Sequence, residues 1–158
     1  MAERIYIETT IPSLYHTMRE DDESQMRMKW TRQWWNEYAV QFHLTTSAAV
    51  IEELEQGASE KVQERLDLLQ DVELLSINDQ ITKIAKNYIE NRLMPNDPTG
   101  DALHLAIASF HQVDALLTWN CKHLANANKI KHIRKINDEL GLPTPELTTP
   151  LNYLGGDD

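Results

Sequence analysis

Apolar positions along the chain follow two rhythms. Short β-rich or alternating runs occur at Ile5-Tyr6-Ile7, at 40–45 (Val-Gln-Phe-His-Leu-Thr), at 72–77 and at 114–118, and read as strands. Between them the spacing lengthens to a helical one. Met26, Trp30, Trp34 and Tyr38 recur every fourth position. Thr45, Thr46 and Ser47 offer an N-cap for a helix carrying Ile51 and Leu54 and ending at Gly57. Val62, Leu66 and Leu69 mark a helix over 59–70, and Asn78 or Asp79 caps another that runs to about Leu93. Asp101 opens a helix through Leu105 and Ala108, and a basic amphipathic helix over 128–140 ends at Gly141. Pro12 suits the first turn of a helix after the first strand.

Loops separate these elements. Residues 19–23 are polar and acidic, and 94–100, with Pro95, Pro98 and Gly100, form the clearest loop. Strands alternating with helices predict βαβ units, hence an α/β fold with a mainly parallel twisted sheet. In such sheets the functional crevice lies at the carboxyl ends of the strands. We expect one domain over 1–142. A tail over 143–158, rich in proline, is irregular or adds a short late edge strand.

Composition narrows the class. The 158 residues are 41% apolar and 25% charged, ordinary for one globular domain that folds without staples. A single cysteine, Cys121, excludes an intramolecular disulfide and fits a reducing compartment. No run approaches the ~20 apolar residues of a membrane helix, and Met1-Ala-Glu-Arg leads straight into the first strand without the pattern of a secretion signal. The expected location is cytoplasmic. The net charge of −10 argues against a general nucleic-acid binder. Residues 122–135 break that trend: Lys122, Lys129, Lys131, Arg134 and Lys135 stand there without an acid.

Several polar residues fall where the crevice belongs. Glu8 ends the first strand, and Asn120 follows the fourth. Asp101 starts a helix after a loop containing Asp97, and Glu52 or Glu53 lies one turn into the helix after the second strand. Gathered carboxylates repel one another unless a proton or cation intervenes. Mg²⁺ prefers oxygen ligands and keeps waters, so two or three carboxylates with a substrate phosphate suit it. Each residue also has an ordinary explanation: a helix-start acid, a solvated helix acid, a turn asparagine.

Four segments in order resemble the PIN-domain family, especially VapC-like toxin ribonucleases of bacterial toxin–antitoxin systems. They are Ile5-Tyr-Ile-Glu-Thr-Thr-Ile-Pro-Ser13, Ser47-Ala-Ala-Val-Ile-Glu-Glu-Leu-Glu-Gln-Gly57, Gly100-Asp-Ala-Leu-His-Leu-Ala-Ile-Ala108 and Leu116-Leu-Thr-Trp-Asn-Cys-Lys-His123. The resemblance implies a three-layer α/β/α sandwich and an endoribonuclease dependent on Mg²⁺ or Mn²⁺. It implies a catalytic quartet at Glu8, Glu53, Asp101 and Asn120, with metal held by Glu8, Glu53 and Asp101, and Glu52 facing outward. The first position is commonly Asp, so Glu8 is one methylene longer. The fourth is commonly acidic, so Asn120 removes one charge from the site. Thr9, Thr118, Asp97 and His104 stand beside these residues, placed to orient them. The resemblance further implies an RNA substrate and a small antitoxin that packs over the active groove, and is compatible with a homodimer.

Other features carry weaker readings. None of the six histidines forms a spacing that singles out a metal-free acid–base pair. His104 either lines the crevice or is a packed, hydrogen-bonded side chain. Trp30 and Trp34 read as a core stripe. Trp35 lies one step off it, where an exposed aromatic could stack a base or anchor a partner helix. Lys122, His123, Lys129, Lys131, Arg134 and Lys135 form either an RNA-tracking surface or an exposed amphipathic face. Cys121 is read as inert. Two rivals to the ribonuclease are a catalytically weak RNA- or protein-binding module and a metal-dependent DNA nuclease or phosphatase.

Overall fold

A computed structural model describes residues 2–93 and 100–155. Five strands form one sheet: β1 (Arg4–Ile7), β2 (His43–Ser47), β3 (Glu73–Leu75), β4 (Ala115–Leu117) and β5 (Glu146–Thr148). Their order is β3-β2-β1-β4-β5, and every neighbouring pair is parallel. The chain builds outward from β1 through β2 to β3, then returns to the other side of β1 with β4 and β5. The direction of growth reverses between β1 and β4, the kind of switch point at which parallel sheets place their ligand crevice.

Among the described residues seven helices cover the sheet: α1 (Thr10–Tyr15), α2 (Asp22–Glu37), α3 (Ala48–Glu55), α4 (Val62–Leu68), α5 (Asp79–Glu90), α6 (Asp101–Phe110) and α7 (Ile130–Leu140). The α/β/α sandwich expected from the sequence is the observed one. On one side α5 packs on α6, and a buried polar chain ties in α7. There Tyr88 donates to Asn137 Oδ1 at 2.6 Å, and Asn137 Nδ2 donates to Ser109 Oγ at 3.1 Å. Elsewhere α1 packs on α2 and α4, and α3 on α4. The core is continuous, with Ile5, Ile7, Trp34, Ile81, Leu105, Ile107, Leu116 and Leu117 fully buried.

Local chemistry explains most element ends. Asn78 caps α5 by accepting from the Ile81 N–H at 3.0 Å, and Asp21 caps α2 by accepting from Ser24. Gly141 closes α7 with φ +73°, a left-handed cap that glycine adopts without strain.

Several boundaries differ from the sequence reading. The second strand starts at His43, because 39–41 form a 3-10 turn that leaves Val40 87% exposed. Thr45 and Thr46 belong to β2 and donate to the Ile5 and Ile7 carbonyls, both at 2.9 Å. Ser47 precedes α3 without capping it, because its hydroxyl is taken by Tyr6 at 2.8 Å. The apolar stripe of α2 is also partial: Trp34 is buried, whereas Met26 is exposed and the buried face includes Ser24 and Thr31. Among the described residues no helix is long and apolar enough to cross a membrane.

Candidate functional site

Glu8 extends β1 by one step, its N–H bonding the Leu117 carbonyl at 3.1 Å. That register sets Glu8 beside Thr118, the residue after β4. Glu8 is only 4% exposed, and its Oε1 accepts three hydrogen bonds. These come from the Thr118 hydroxyl at 2.6 Å, the Thr10 hydroxyl at 2.5 Å and the Thr10 N–H at 3.1 Å. Such donors compensate a carboxylate taken out of water.

Glu53 reaches the same place from α3. Its neighbour Glu52 is exposed, whereas Glu53 is half-buried and lies 2.5 Å from His104 Nε2. His104 comes from α6 and is fully buried. Its Nδ1 lies 2.7 Å from the Tyr6 hydroxyl, which bonds Ser47 in turn. A carboxylate oxygen only accepts, so Nε2–H donates to Glu53 and the ring is fixed at both nitrogens. Thr9 Oγ1 stands 3.4 Å from the same Nε2.

Asp101 opens α6 one residue after Gly100, whose φ of +75° turns the chain into the helix. It accepts from Asn120 Nδ2 at 2.7 Å, and Asn120 Oδ1 accepts from the His123 N–H at 3.0 Å. Asn120 therefore acts as a bridge, with both ends of its amide engaged.

The electrostatics tie these pieces together. Burial alone would lower the His104 pKa. The Glu53 hydrogen bond and the fields of Glu8, Glu53 and Asp101 outweigh it and raise the value. Asp101 is raised, chiefly by burial and further by Glu53, against the opposing pull of His123, Asn120 and His104. Burial likewise pushes the Tyr6 phenol far up.

The oxygen-rich donor set of Glu8, Glu53 and Asp101 fits a hard divalent cation in its chemistry. As the side chains stand, each carboxylate is engaged by a protein hydrogen bond. Among the described residues no group of three or more His, Cys, Asp or Glu side chains is placed to hold a metal ion.

The other sequence candidates fall as follows. Lys122, Lys131, Arg134 and Lys135 are exposed, and His123 and Lys129 are half-buried. Lys129 Nζ donates to the Leu93 carbonyl at 3.2 Å and stands 3.4 Å from His123 Nδ1. Asp97 lies outside the described residues. Trp35, expected as an exposed aromatic, is half-buried and edge-packed on Tyr15 and Trp34. Two residues had no place in the sequence reading. Tyr6 carried a signal, because a tyrosine inside a buried strand needs a partner for its hydroxyl. Thr10 carried none that separates it from Thr9.

The PIN domain family model matches residues 14–122, a stretch that includes Glu53, Asp101 and Asn120 and begins after Glu8. No curated protein matches the chain. Among solved structures, the chain is similar to one in the crystal structure of VapBC2 from Rickettsia felis bound to a DNA fragment from their promoter. The TM-score is 0.50 at 16% identity, covering 92% of this chain and 98% of that one. A chain in the crystal structure of FitAcB from Neisseria gonorrhoeae gives a TM-score of 0.49 at 14% identity, with 74% and 88% covered. With more than half of its length matched, and with the parallel sheet order and strand-end acids described above, the chain belongs to the PIN domain family.

Proposed function

We propose that this protein is a metal-dependent endoribonuclease of the VapC-like kind, acting in the cytoplasm as the toxin of a toxin–antitoxin pair. One observation carries the reading: hydrogen bonds run from Glu8 through Thr118 and Asn120 to Asp101, and Glu53 bonds His104 on the same helix as Asp101, at the sheet's switch point. A carboxylate cluster at that place suits phosphodiester hydrolysis and needs no nucleophilic side chain.

Glu8, Glu53 and Asp101 would hold the Mg²⁺ or Mn²⁺. Such an ion, when bound, supplies a polarised water for in-line attack that leaves 5′-phosphate and 3′-hydroxyl ends. The protein's own part is placement. Thr10 and Thr118 fix Glu8, His104 fixes Glu53, and Asn120 fixes Asp101. The basic residues Lys122, His123, Lys129, Lys131, Arg134 and Lys135 are proposed to follow the RNA backbone. The likeness to a VapBC2 chain supports a small antitoxin as partner, and a homodimer is part of the same proposal.

The test is cleavage of a mixed RNA panel with Mn²⁺, with Mg²⁺ and with EDTA, beside Asp101→Asn. Metal-dependent cutting that the substitution abolishes is the expected result. Cutting that survives both EDTA and the substitution would sink the reading. A binding module is the second reading, favoured because Asn120 is neutral and each carboxylate already accepts a protein hydrogen bond. It predicts RNA binding, no cleavage and no Mn²⁺ site.

A further inference from the structure

A cavity of about 570 Å³ has Thr10 and Trp119 in its wall. Both residues belong to the site just described. The Thr10 hydroxyl donates to Glu8 and accepts the Trp119 N–H at 2.8 Å. The wall also carries three guanidiniums, Arg19, Arg27 and Arg65, and two carboxylates. The carboxylates are committed: Asp21 is 3.3 Å from Arg19, and Glu23 is 2.9 Å from Arg27.

Arg65 is different. Among the described residues it forms no ion pair. Its Nη2 donates to the His16 carbonyl at 2.9 Å, and its buried Nε has no hydrogen-bond partner. A guanidinium remains charged in proteins, so an orphaned donor on one is costly. The guanidinium fork of an arginine without an ion pair matches the oxygens of a phosphate. Ser13 and Thr17 in the same wall add neutral hydroxyl donors.

We propose that this cavity is a phosphodiester subsite in which Arg65 holds an RNA phosphate adjacent to the one cleaved. The assignment rests on the ribonuclease reading and names how its substrate is seated. Without a metal three carboxylates repel a polyanionic strand, and a cation close by offsets them. Among the described residues Arg65 is the arginine of this wall without an ion pair, and the same wall holds Thr10, whose hydroxyl bonds Glu8. An acidic peptide would also pair with a guanidinium, but the presence of Thr10, the partner of Glu8, in the same wall favours the strand being cut.

The experiment measures binding of a short, fluorescein-labelled single-stranded RNA of mixed sequence, by anisotropy in EDTA, across a salt series. Arg65→Gln is expected to weaken binding. The slope of log affinity against log salt should fall by about 0.7, the loss of one phosphate contact on a single strand. Arg65→Lys is expected to restore the slope, which a merely structural role would not require. It also serves as the test should the glutamine variant fail to fold.

An unchanged slope in Arg65→Gln overturns the subsite, as does a wild type that binds no RNA. A cavity that takes free phosphate would show thermal stabilisation by inorganic phosphate with the RNA slope unmoved, and the subsite would fall. Polyglutamate binding that depends on Arg65, again without a change in the RNA slope, would reassign the cavity to an acidic partner. The two readings separate cleanly. Asp101-dependent cleavage with an unmoved slope removes the subsite alone. An Arg65-dependent slope without metal-dependent cleavage removes the nuclease and leaves the RNA site.

Discussion

His104 Nε2 lies 2.5 Å from Glu53 Oε1, joining α6 to α3 across 51 residues of sequence. On the other side of the ring, Tyr6 and Ser47 complete a buried chain of side-chain hydrogen bonds. The ring is thus held from β1 while it aims a carboxylate at the crevice. This is the kind of support that sets how well ligand groups are oriented.

His104→Leu should therefore weaken Mn²⁺ binding by about 10–100-fold while leaving all three carboxylates in the sequence. Tyr6→Phe, which removes only the outer link, should give a smaller loss. Calorimetry with Mn²⁺ measures both. Equal affinities for wild type and His104→Leu would refute the positioning role.

Asn120→Asp should act in opposite directions with and without metal. In EDTA it replaces an N–H donor to Asp101 by a second carboxylate. That costs roughly 1.5–3 kcal/mol of charge-assisted hydrogen bonding, or a Tm drop of about 3–12 °C at this chain length. With Mn²⁺ the added charge should raise affinity and recover part of the loss. Thermal unfolding under the two conditions reads the crossover, and a variant that melts like the wild type in EDTA would contradict it.

Alkaline pH should destabilise the protein through Tyr88. Burial pushes its phenol up to about 12 from an ordinary 10, while hydrogen bonds to Ser109 and Asn137 oppose the rise. A folded-state pKa above the unfolded one gives stability that is full below pH 10 and is lost as pH climbs toward 12. Tyr153, also pushed up to about 12, has the same sign. Tyr88→Phe should flatten this part of the profile. It should also cost about 1–3 kcal/mol at neutral pH by orphaning Asn137 Oδ1. Urea unfolding midpoints between pH 8 and pH 11, values set by that window, check the slope.

Gly141→Ala should destabilise by about 1–2 kcal/mol, the cost of a left-handed backbone for a residue with Cβ. No atom lies within 4 Å of the added Cβ, so the cost is conformational rather than steric. A Tm drop of about 2–8 °C is expected. A melting point at or above that of the wild type would show that the α7 cap is not held as described.

The sequence by itself determined the alternation of strands and helices, and with it the parallel sheet, because period-two and period-four apolar patterns are local. It also marked Glu8, Asp101 and Asn120 as strand-end or helix-start residues, and the ordered motifs favoured Glu53 over Glu52. That preference agrees with one side chain turned inward and the other exposed. Local pattern was weakest where a side chain had two competing uses. Ser47 reads as a cap, yet its hydroxyl serves Tyr6 from across the sheet. Trp35 reads as exposed, yet Tyr15 of the preceding helix covers it.

Tertiary structure alone decided which groups meet. The β1–β4 register brings Thr118 onto Glu8, and the packing of α6 beside β1 sets His104 between Tyr6 and Glu53. Among the described residues packing also left Arg65 without an acidic partner, in a cavity that shares Thr10 with the site. Those contacts span up to 110 residues, and no periodicity in a chain encodes a distance of that kind. They follow from strand order and register, which are settled only when the whole core is buried at once.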